Sequence, residues 1–484
     1  MKKKIIPKKI RLRFPPSPTG PLHIGGARTA LFNYLFAKQH KGEFVVRIED
    51  TDKERSKQEY VQDIIDELKW IGMDWNEGPD IGGKFRPYKQ SQRLDIYKKY
   101  LEQLLAEKKS YYCNCSTEEL EAKRQDQQSR GLAPKYDGKC RGQNKTNGVI
   151  RFHIENKKIA FEDLIRGKVE FDMGLVGDIV IAKNLQTPLY HFAVVIDDYE
   201  MQISHIIRGE DHLSNTPRQI LLQEALGFYQ PAYAHLPLML NADKSKMSKR
   251  AGDVAVSDYH KAGYLPEALI NFMVLLGWNP GTDKEIFTLD QLVKEFSLER
   301  VQKSGAVFNL QRLDFINSVY IKEKPIKKLT ELCLPYLAEF DTAQFTKQQL
   351  ESIIALHQPR LKKLSDIGPM AGFFFATTLS YDKKMLAWKE MGEKDVREAL
   401  LLCDNILSEV KKWDAPTLEK TLSVAAEKFN QEKGYPLQNK GYLLWPLRVT
   451  LSGREASAGP FEIAEILGKE KTLQRIQDAI LMLS

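Results

Sequence analysis

The chain has 484 residues, 42% of them hydrophobic, which is enough for several packed cores and too much for one small domain. No apolar run approaches the roughly 18 residues a membrane-spanning helix needs, and the basic start (Met1-Lys2-Lys3-Lys4-Ile5-Ile6-Pro7-Lys8-Lys9) lacks the apolar core of a signal peptide, so no membrane association and a cytoplasmic location are expected. Lysine and arginine outnumber aspartate and glutamate by 72 to 64, and the net charge of +8 suits either a polyanionic partner or a plain solvated basic surface.

Residues 10–14 alternate apolar and basic side chains, as a strand does; Pro15 and Pro16 stop it, and Gly20-Pro21 marks a turn. A helix with Leu31, Tyr34 and Leu35 on its apolar side follows, and 43–48 reads as a buried strand of a parallel sheet. Strand, glycine-bearing turn, helix and strand compose a βαβ unit. The N-terminal region is therefore expected to be an α/β, Rossmann-like, doubly wound domain over 1–109, binding its ligand at the carboxyl ends of the strands. Segments 17–26 and 49–52 both fall there. From 110 to 187 the character changes to a cysteine cluster, a polar stretch over 118–128 and short alternating pieces such as 149–154, which predicts an α+β insertion. The first domain resumes over 188–254. Two helical regions follow, 255–330 and 331–484, with strand-like runs almost absent beyond Ile321, no internal repeat and no low-complexity tract.

Two short motifs carry the chemistry. His23-Ile24-Gly25-Gly26 sets an imidazole and two glycines ahead of an apolar stretch, 27–40. A helix N-terminus presents unpaired N–H groups and partial positive charge to a phosphate, and glycine lets the backbone approach it closely. Lys246-Met247-Ser248-Lys249-Arg250 is a short basic loop whose ammonium groups suit anionic phosphates. In this order, with a large insertion between them, the pair resembles the two signatures of class I aminoacyl-tRNA synthetases. The flanks, Arg13-Phe14-Pro15-Pro16-Ser17-Pro18-Thr19-Gly20 before and Arg47-Ile48-Glu49-Asp50-Thr51-Asp52 after, are similar to those of the glutamyl-tRNA synthetase family. The general class signature ends in a second histidine where this chain has Gly26, a substitution common among glutamyl members.

The resemblance implies a bacterial-type enzyme that joins L-glutamate to ATP as glutamyl-adenylate and then hands the glutamyl group to the terminal ribose of tRNA(Glu). Such a reaction brings two anions together, so it needs positioning and charge stabilisation more than covalent chemistry from the protein. Carried over position by position, His23, Lys246 and Lys249 become the candidate catalytic residues. Thr19, His23, Gly25, Gly26, Glu210, Lys246, Ser248 and Lys249 become the candidate ATP contacts, with Mg²⁺ bridging phosphate oxygens. Arg13 and Arg208 match the arginines that grip the substrate's side-chain carboxylate in a planar fork. Tyr190 matches a hydroxyl donor, and Glu49, with Ser17 nearby, the partner of the ammonium group. Arg47 and Asp52 read instead as a strand-end ion pair or a helix cap.

Five cysteines in so long a chain make no disulfide framework. Cys333 and Cys403 stand alone in apolar stretches as packed thiols. Cys113, Cys115 and Cys140 have the close spacing and distant return that suit tetrahedral zinc, against the alternative of three reduced thiols. The resemblance adds Tyr136 as the fourth ligand of a structural site in an insertion that approaches the tRNA acceptor end, followed by a stem-contact region over 255–330. It also makes 331–484 an all-α anticodon-binding region, with Arg360 and Arg448 as readers and Arg360 favouring the glutamate anticodon. A monomer is expected. The competing readings are an enzyme that also charges tRNA(Gln) and a silent tRNA-binding protein on the same scaffold.

Overall fold

A computed structural model describes residues 7–245 and 255–483. Lys246, Ser248 and Lys249 lie outside the described residues. The chain divides into two compact units, one made of Met1–Lys261 with Pro266–Ile316 and the other of Ala262–Leu265 with Asn317–Ser484.

In the first unit β1 (Arg11–Phe14), α1 (Ile24–Gln39) and β2 (Glu43–Val46) form the expected βαβ unit, with the two strands parallel and in register from Arg11 opposite Glu43 to Phe14 opposite Val46. All four residues of β1 are buried, its two arginines included. The alternation therefore marks two buried faces, which a strand can carry only if each guanidinium is paired. Arg11 is paired through Glu77 and Glu43, and Arg13 through Asp198. Helix α1 is apolar on most sides, with eleven of its sixteen residues buried, as a helix wrapped by its own domain should be. Next come α2 (Gln58–Trp70) and α3 (Leu94–Ala106).

The segment with the cysteines builds an antiparallel sheet from β3 (Ser110–Cys113), β4 (Val149–Phe152), β7 (Ile179–Asn184) and β8 (Thr187–Pro188), with the polar α4 (Thr117–Ser129) beside it. Between β4 and β7 it also sends out a hairpin, β5 (Lys158–Asp163) and β6 (Gly167–Asp172). After α5 (Tyr190–Glu200), a second parallel pair forms around α6 (Thr216–Leu226): β9 (His205–Gly209) against β10 (Ala232–Leu236). Ser204 N donates to Arg11 O at 3.0 Å, tying this pair to β1. On its far side β10 pairs with β5, Tyr233 opposite Asp163. The hairpin thus extends the parallel sheet from within the stretch read as an insertion.

Short β11 (Met239–Leu240) pairs with β12 (Ala306–Val307), and α7 (Val256–Lys261), α8 (Pro266–Leu275) and α9 (Leu289–Glu295) accompany them; α8 packs against α1. After α10 (Leu310–Glu323) the described residues contain helices only: α11 (Ile326–Cys333), α12 (Lys347–His357), α13 (Ile367–Phe375), α14 (Glu393–Glu409), α15 (Ala415–Lys433), α16 (Gly441–Ser452), α17 (Pro460–Leu467) and α18 (Lys469–Met482), joined by 3₁₀ turns. Local chemistry sets their ends. Thr346 and Gln349 form a reciprocal capping box on α12, and Asp414 caps α15, which ends at Gly434 with φ of +72°. Among the described residues no helix is long and apolar enough to cross a membrane.

Candidate active site

A cavity of about 360 Å³ opens in the first unit, walled by the segments after β1, β2 and β9 and by the first turns of α1 and α5. Arg13, Ser17, His23, Gly25, Gly26, Glu49, Tyr190 and Arg208, eight positions singled out by motif, all line it. Their convergence follows from the sheet, because parallel strands deliver their following loops to one edge.

The floor is a buried charge network. Asp198, on α5, accepts Nε of Arg13 at 3.1 Å and Nη1 of Arg47 at 2.8 Å, and Arg47 donates from Nη2 to Glu49 at 2.9 Å. Arg47 is fully buried and held charged by Asp198, Asp197 and Glu49 against the cost of its burial. Burial pushes Asp198 up, and the two guanidinium groups more than offset that, so its carboxyl stays below the usual range. Burial raises Glu49 further than Arg47 lowers it. As expected, Arg47 serves as an ion-pair residue, and Asp52 pairs with exposed Arg55.

Two donors remain. Arg13 spends Nε and Nη2 on Asp198, and its buried Nη1 has no partner. Arg208 donates from Nε to His235 and from Nη2 to Thr216, and its buried Nη1 likewise has none. Burying an unpaired donor on a charged group costs free energy unless an acceptor arrives, so the two arginines define a place for an anion with two oxygens. Between their elements Tyr190 sets its hydroxyl 3.1 Å from Nδ1 of His212. Burial and then Arg208 lower His212 to about 4, so this ring stays neutral near pH 7.

At the other end His23 caps α1, its Nδ1 accepting from Gly26 N at 3.1 Å. That bond leaves the ring proton of the neutral imidazole on Nε2, the nitrogen facing away from the cap. An added Cβ at Gly25 would sit 3.2 Å from the same ring and 3.8 Å from Met239, so the cradle is tight against larger residues. His23 also bridges Ala255, and Val256 N donates to Leu22 O at 2.8 Å. Met239, on the near side of the undescribed 246–254 segment, lines the cavity too. Ala255, which follows the basic motif, therefore lies beside His23, and Met239, seven residues before the motif, lies beside Gly25.

Other positions fall differently. Thr19 donates its N–H to Ser17 O at 2.9 Å and is not among the lining residues. Glu210 is not among them either: its carboxylate accepts from Leu238 N at 2.8 Å and pairs with Arg166, while the adjacent Asp211 faces the cavity. Asp198, Asp211, His212 and Arg28 escaped the sequence reading. For Asp198 a signal existed, because two adjacent acids closing the apolar run 192–196 must find cations once buried.

The sulfurs of Cys113, Cys115 and Cys140 lie within 4.8 Å of one another. The Tyr136 hydroxyl stands 3.4 Å from Cys113 Sγ and 3.6 Å from Cys115 Sγ, and it accepts from Cys140 N at 3.0 Å. Four-coordinate zinc with Zn–S bonds of about 2.3 Å sets sulfurs about 3.8 Å apart, so the cluster fits a metal of that size. Arg151 lies over the Tyr136 ring at 3.9 Å. Cys333 and Cys403 are buried, and burial raises both thiols to about 12, as packed thiols require.

In the second unit Arg360 ends an exposed 3₁₀ turn, Gln358–Arg360, after α12. The Gln358 amide fixes that turn by donating to Ile321 O and Lys324 O at 2.9 Å each. Arg448, half-buried on α16, lies 5.9 Å over the Trp445 ring, which leans on Trp388 at 4.5 Å.

Residues 9–315 match the family described as tRNA synthetases class I (E and Q), catalytic domain, and residues 328–480 match one described as anticodon binding domain. The chain is 44% identical to glutamate--tRNA ligase 1 of Caldicellulosiruptor saccharolyticus, over 97% of this chain and 98% of that one. It is 42% identical to the glutamate--tRNA ligase of Moorella thermoacetica with the same coverage. Among solved structures, that of a glutamate tRNA ligase from Elizabethkingia meningosepticum in complex with its amino acid superposes with a TM-score of 0.87 at 34% identity, covering 99% of this chain and 100% of that one. The chain belongs to the glutamate–tRNA ligase family of class I tRNA synthetases.

Proposed function

We propose that the chain ligates L-glutamate to tRNA(Glu), and that the single observation carrying this reading is the pair of unpartnered Nη1 donors on Arg13 and Arg208 in one cavity with Glu49 and the His23-capped helix. The γ-carboxylate takes the two arginines and the Tyr190 hydroxyl, while Glu49 and Ser17 take the α-ammonium group. Glutamine, lacking the charge, leaves one guanidinium poorly compensated in a desolvated pocket. An oxygen of the α-carboxylate attacks the α-phosphorus of ATP and pyrophosphate leaves. The terminal ribose hydroxyl of the tRNA then attacks the carbonyl carbon, releasing AMP.

His23 donates from Nε2 toward phosphate oxygens, and Gly25 and Gly26 let the nucleotide approach the N-terminus of α1. Lys246, Ser248 and Lys249 supply charge and hydrogen-bond donors to the phosphates, with Thr19 and Glu210 shaping the nucleotide end through the backbone they support. Mg²⁺ supplies charge neutralisation on the phosphates when bound. Cys113, Cys115, Tyr136 and Cys140 would hold one structural Zn²⁺, whose chemistry is to clamp the loops of the 110–187 stretch. In this reading 1–109 and 188–254 form the catalytic domain, 110–187 meets the acceptor end, 255–330 contacts the stem, and 331–484 reads the anticodon through Arg360 and Arg448. The protein works as a cytoplasmic monomer.

The test charges purified protein with labelled glutamate on tRNA(Glu) and tRNA(Gln) separately. Labelling of tRNA(Glu) alone is the expected result. Labelling of both keeps the chemistry and removes the discriminating role of Arg360, and labelling of neither overturns the proposal.

A further inference from the structure

We propose that His235 and Asp163 are positioning residues for Arg208, with the imidazole acting as a neutral spacer that leaves the full guanidinium charge, and one chosen donor, for the substrate's carboxylate. The inference rests on the reading of Arg208 as a glutamate-binding residue.

A guanidinium only donates, so hydrogen positions along this chain of groups are fixed by logic. Nε of Arg208 donates to His235 Nε2 at 3.2 Å, which requires a lone pair there. The ring proton must then sit on Nδ1, where it meets Asp163 Oδ2 at 2.6 Å. Asp163 cannot turn away, because its Oδ1 accepts from the backbone of Ile165 at 3.0 Å, Arg166 at 2.8 Å and His235 at 3.3 Å. His235 is 0% exposed and Asp163 2%, so water cannot substitute for any member. Burial lowers His235 more than Asp163 raises it, which keeps the ring neutral. A second ring proton would set N–H against N–H at Arg208.

The comparison with Arg13 shows what the spacer does. Arg13 touches a carboxylate directly, and Asp198 cancels much of its charge. Arg208 touches only neutral acceptors, the His235 nitrogen and the Thr216 hydroxyl at 2.8 Å, with its counter-ion one imidazole away. Two of its three nitrogens are therefore pinned, which stops the plane from rotating, and the third, Nη1, is unpartnered. Charge is spared and orientation is fixed at once, a combination that a direct ion pair does not give.

Three variants and a control test this, each read by ATP–pyrophosphate exchange with tRNA(Glu) present, with glutamate and ATP titrated separately and folding checked by thermal melting. Asp163→Asn turns the neighbouring acceptor into a possible donor, and His235→Asn keeps the link to Asp163 but withdraws the acceptor from Arg208. Each is expected to raise KM for glutamate about tenfold or more, the scale of a hydrogen bond to a charged group, with kcat within about threefold and KM for ATP unchanged. His235→Gln, whose Oε1 can occupy the place of Nε2, is expected to stay within about threefold of the parent. This contrast between Asn and Gln at one site holds even if Asp163→Asn fails to fold. A purely structural role would lower the melting temperature and the active fraction without moving KM. Arg208→Lys is the control. If it raises KM for glutamate while the Asp163 and His235 variants do not, the positioning role is overturned and the reading of Arg208 stands. If Arg208→Lys also leaves KM unchanged, the reading and the inference fall together.

Discussion

The Arg13–Arg208 end of the cavity and the Arg360 turn use the same side chain under opposite conditions. Arg13 and Arg208 are 1% and 5% exposed, each held by two hydrogen bonds before any ligand arrives. Arg360 is exposed on a turn whose backbone is fixed through Gln358. A small anion must be told from its uncharged amide by charge alone, and that needs low dielectric and a fixed fork. A base in an unstacked anticodon offers edges and a face, so a reader there can stay hydrated until the RNA supplies the burial. Preorganisation therefore belongs to one region and adaptability to the other.

The comparison breaks most sharply at Arg208. Arg208→Ala is expected to lower kcat/KM for glutamate by about a thousandfold in pyrophosphate exchange, since removing one partner from a desolvated ionic contact costs about 3–5 kcal/mol. Retention of most activity would mean that burial of this arginine is incidental. Arg360→Gln is the matching change at the exposed site. We expect it to shift the ratio of charging rates on tRNA(Glu) and tRNA(Gln) by about ten- to a hundredfold, the scale of one base contact, with KM for glutamate unmoved. An unchanged ratio would remove Arg360 from the readers.

Metal loss tests a third kind of organisation. Cys140→Ser should bring zinc per chain, measured by atomic emission, from about one to near zero, and raise KM for tRNA severalfold more than KM for glutamate. Wild-type protein purified without bound metal would overturn the assignment. The smallest effect is expected at Thr346, whose side chain caps α12 just ahead of the Arg360 turn. Thr346→Ala should cost about 1 kcal/mol and a few degrees of melting temperature while leaving the selectivity ratio alone. A changed ratio would show that the reader depends on its helix more than the fixed turn suggests.

Much of this was legible in the sequence, for reasons that differ by region. The βαβ start could be read because a strand, a glycine-bearing turn and an apolar helix are contiguous, and the helical C-terminal half because 3.6-residue periodicity is local. That eight motif residues share one cavity could be read because the resemblance placed them on segments that parallel strands deliver to one edge. What escaped is what distant pairing decides. Nothing near Asp163 marks it as the partner of His235, 72 positions away, and nothing in β5 says that its free edge will meet β10. The alternation in β1 marks a strand without saying where its arginines go, and only the acids of other segments, Glu77 and Asp198, reveal why both are dry.

The pairing of β5 with β10 also bears on how the chain is made. The hairpin emerges from the ribosome well before β10, and at 5–20 residues per second an edge that must end up inside the sheet waits roughly 4 to 14 seconds for its partner. An unpaired edge is a template for the wrong strand, so this interval is a window for misassembly and for chaperone capture. The same pairing limits transplantation. An exchange of the 110–187 stretch between relatives carries Asp163 and half a sheet edge with it, so such chimaeras must match at β10 as well as at the two splice points.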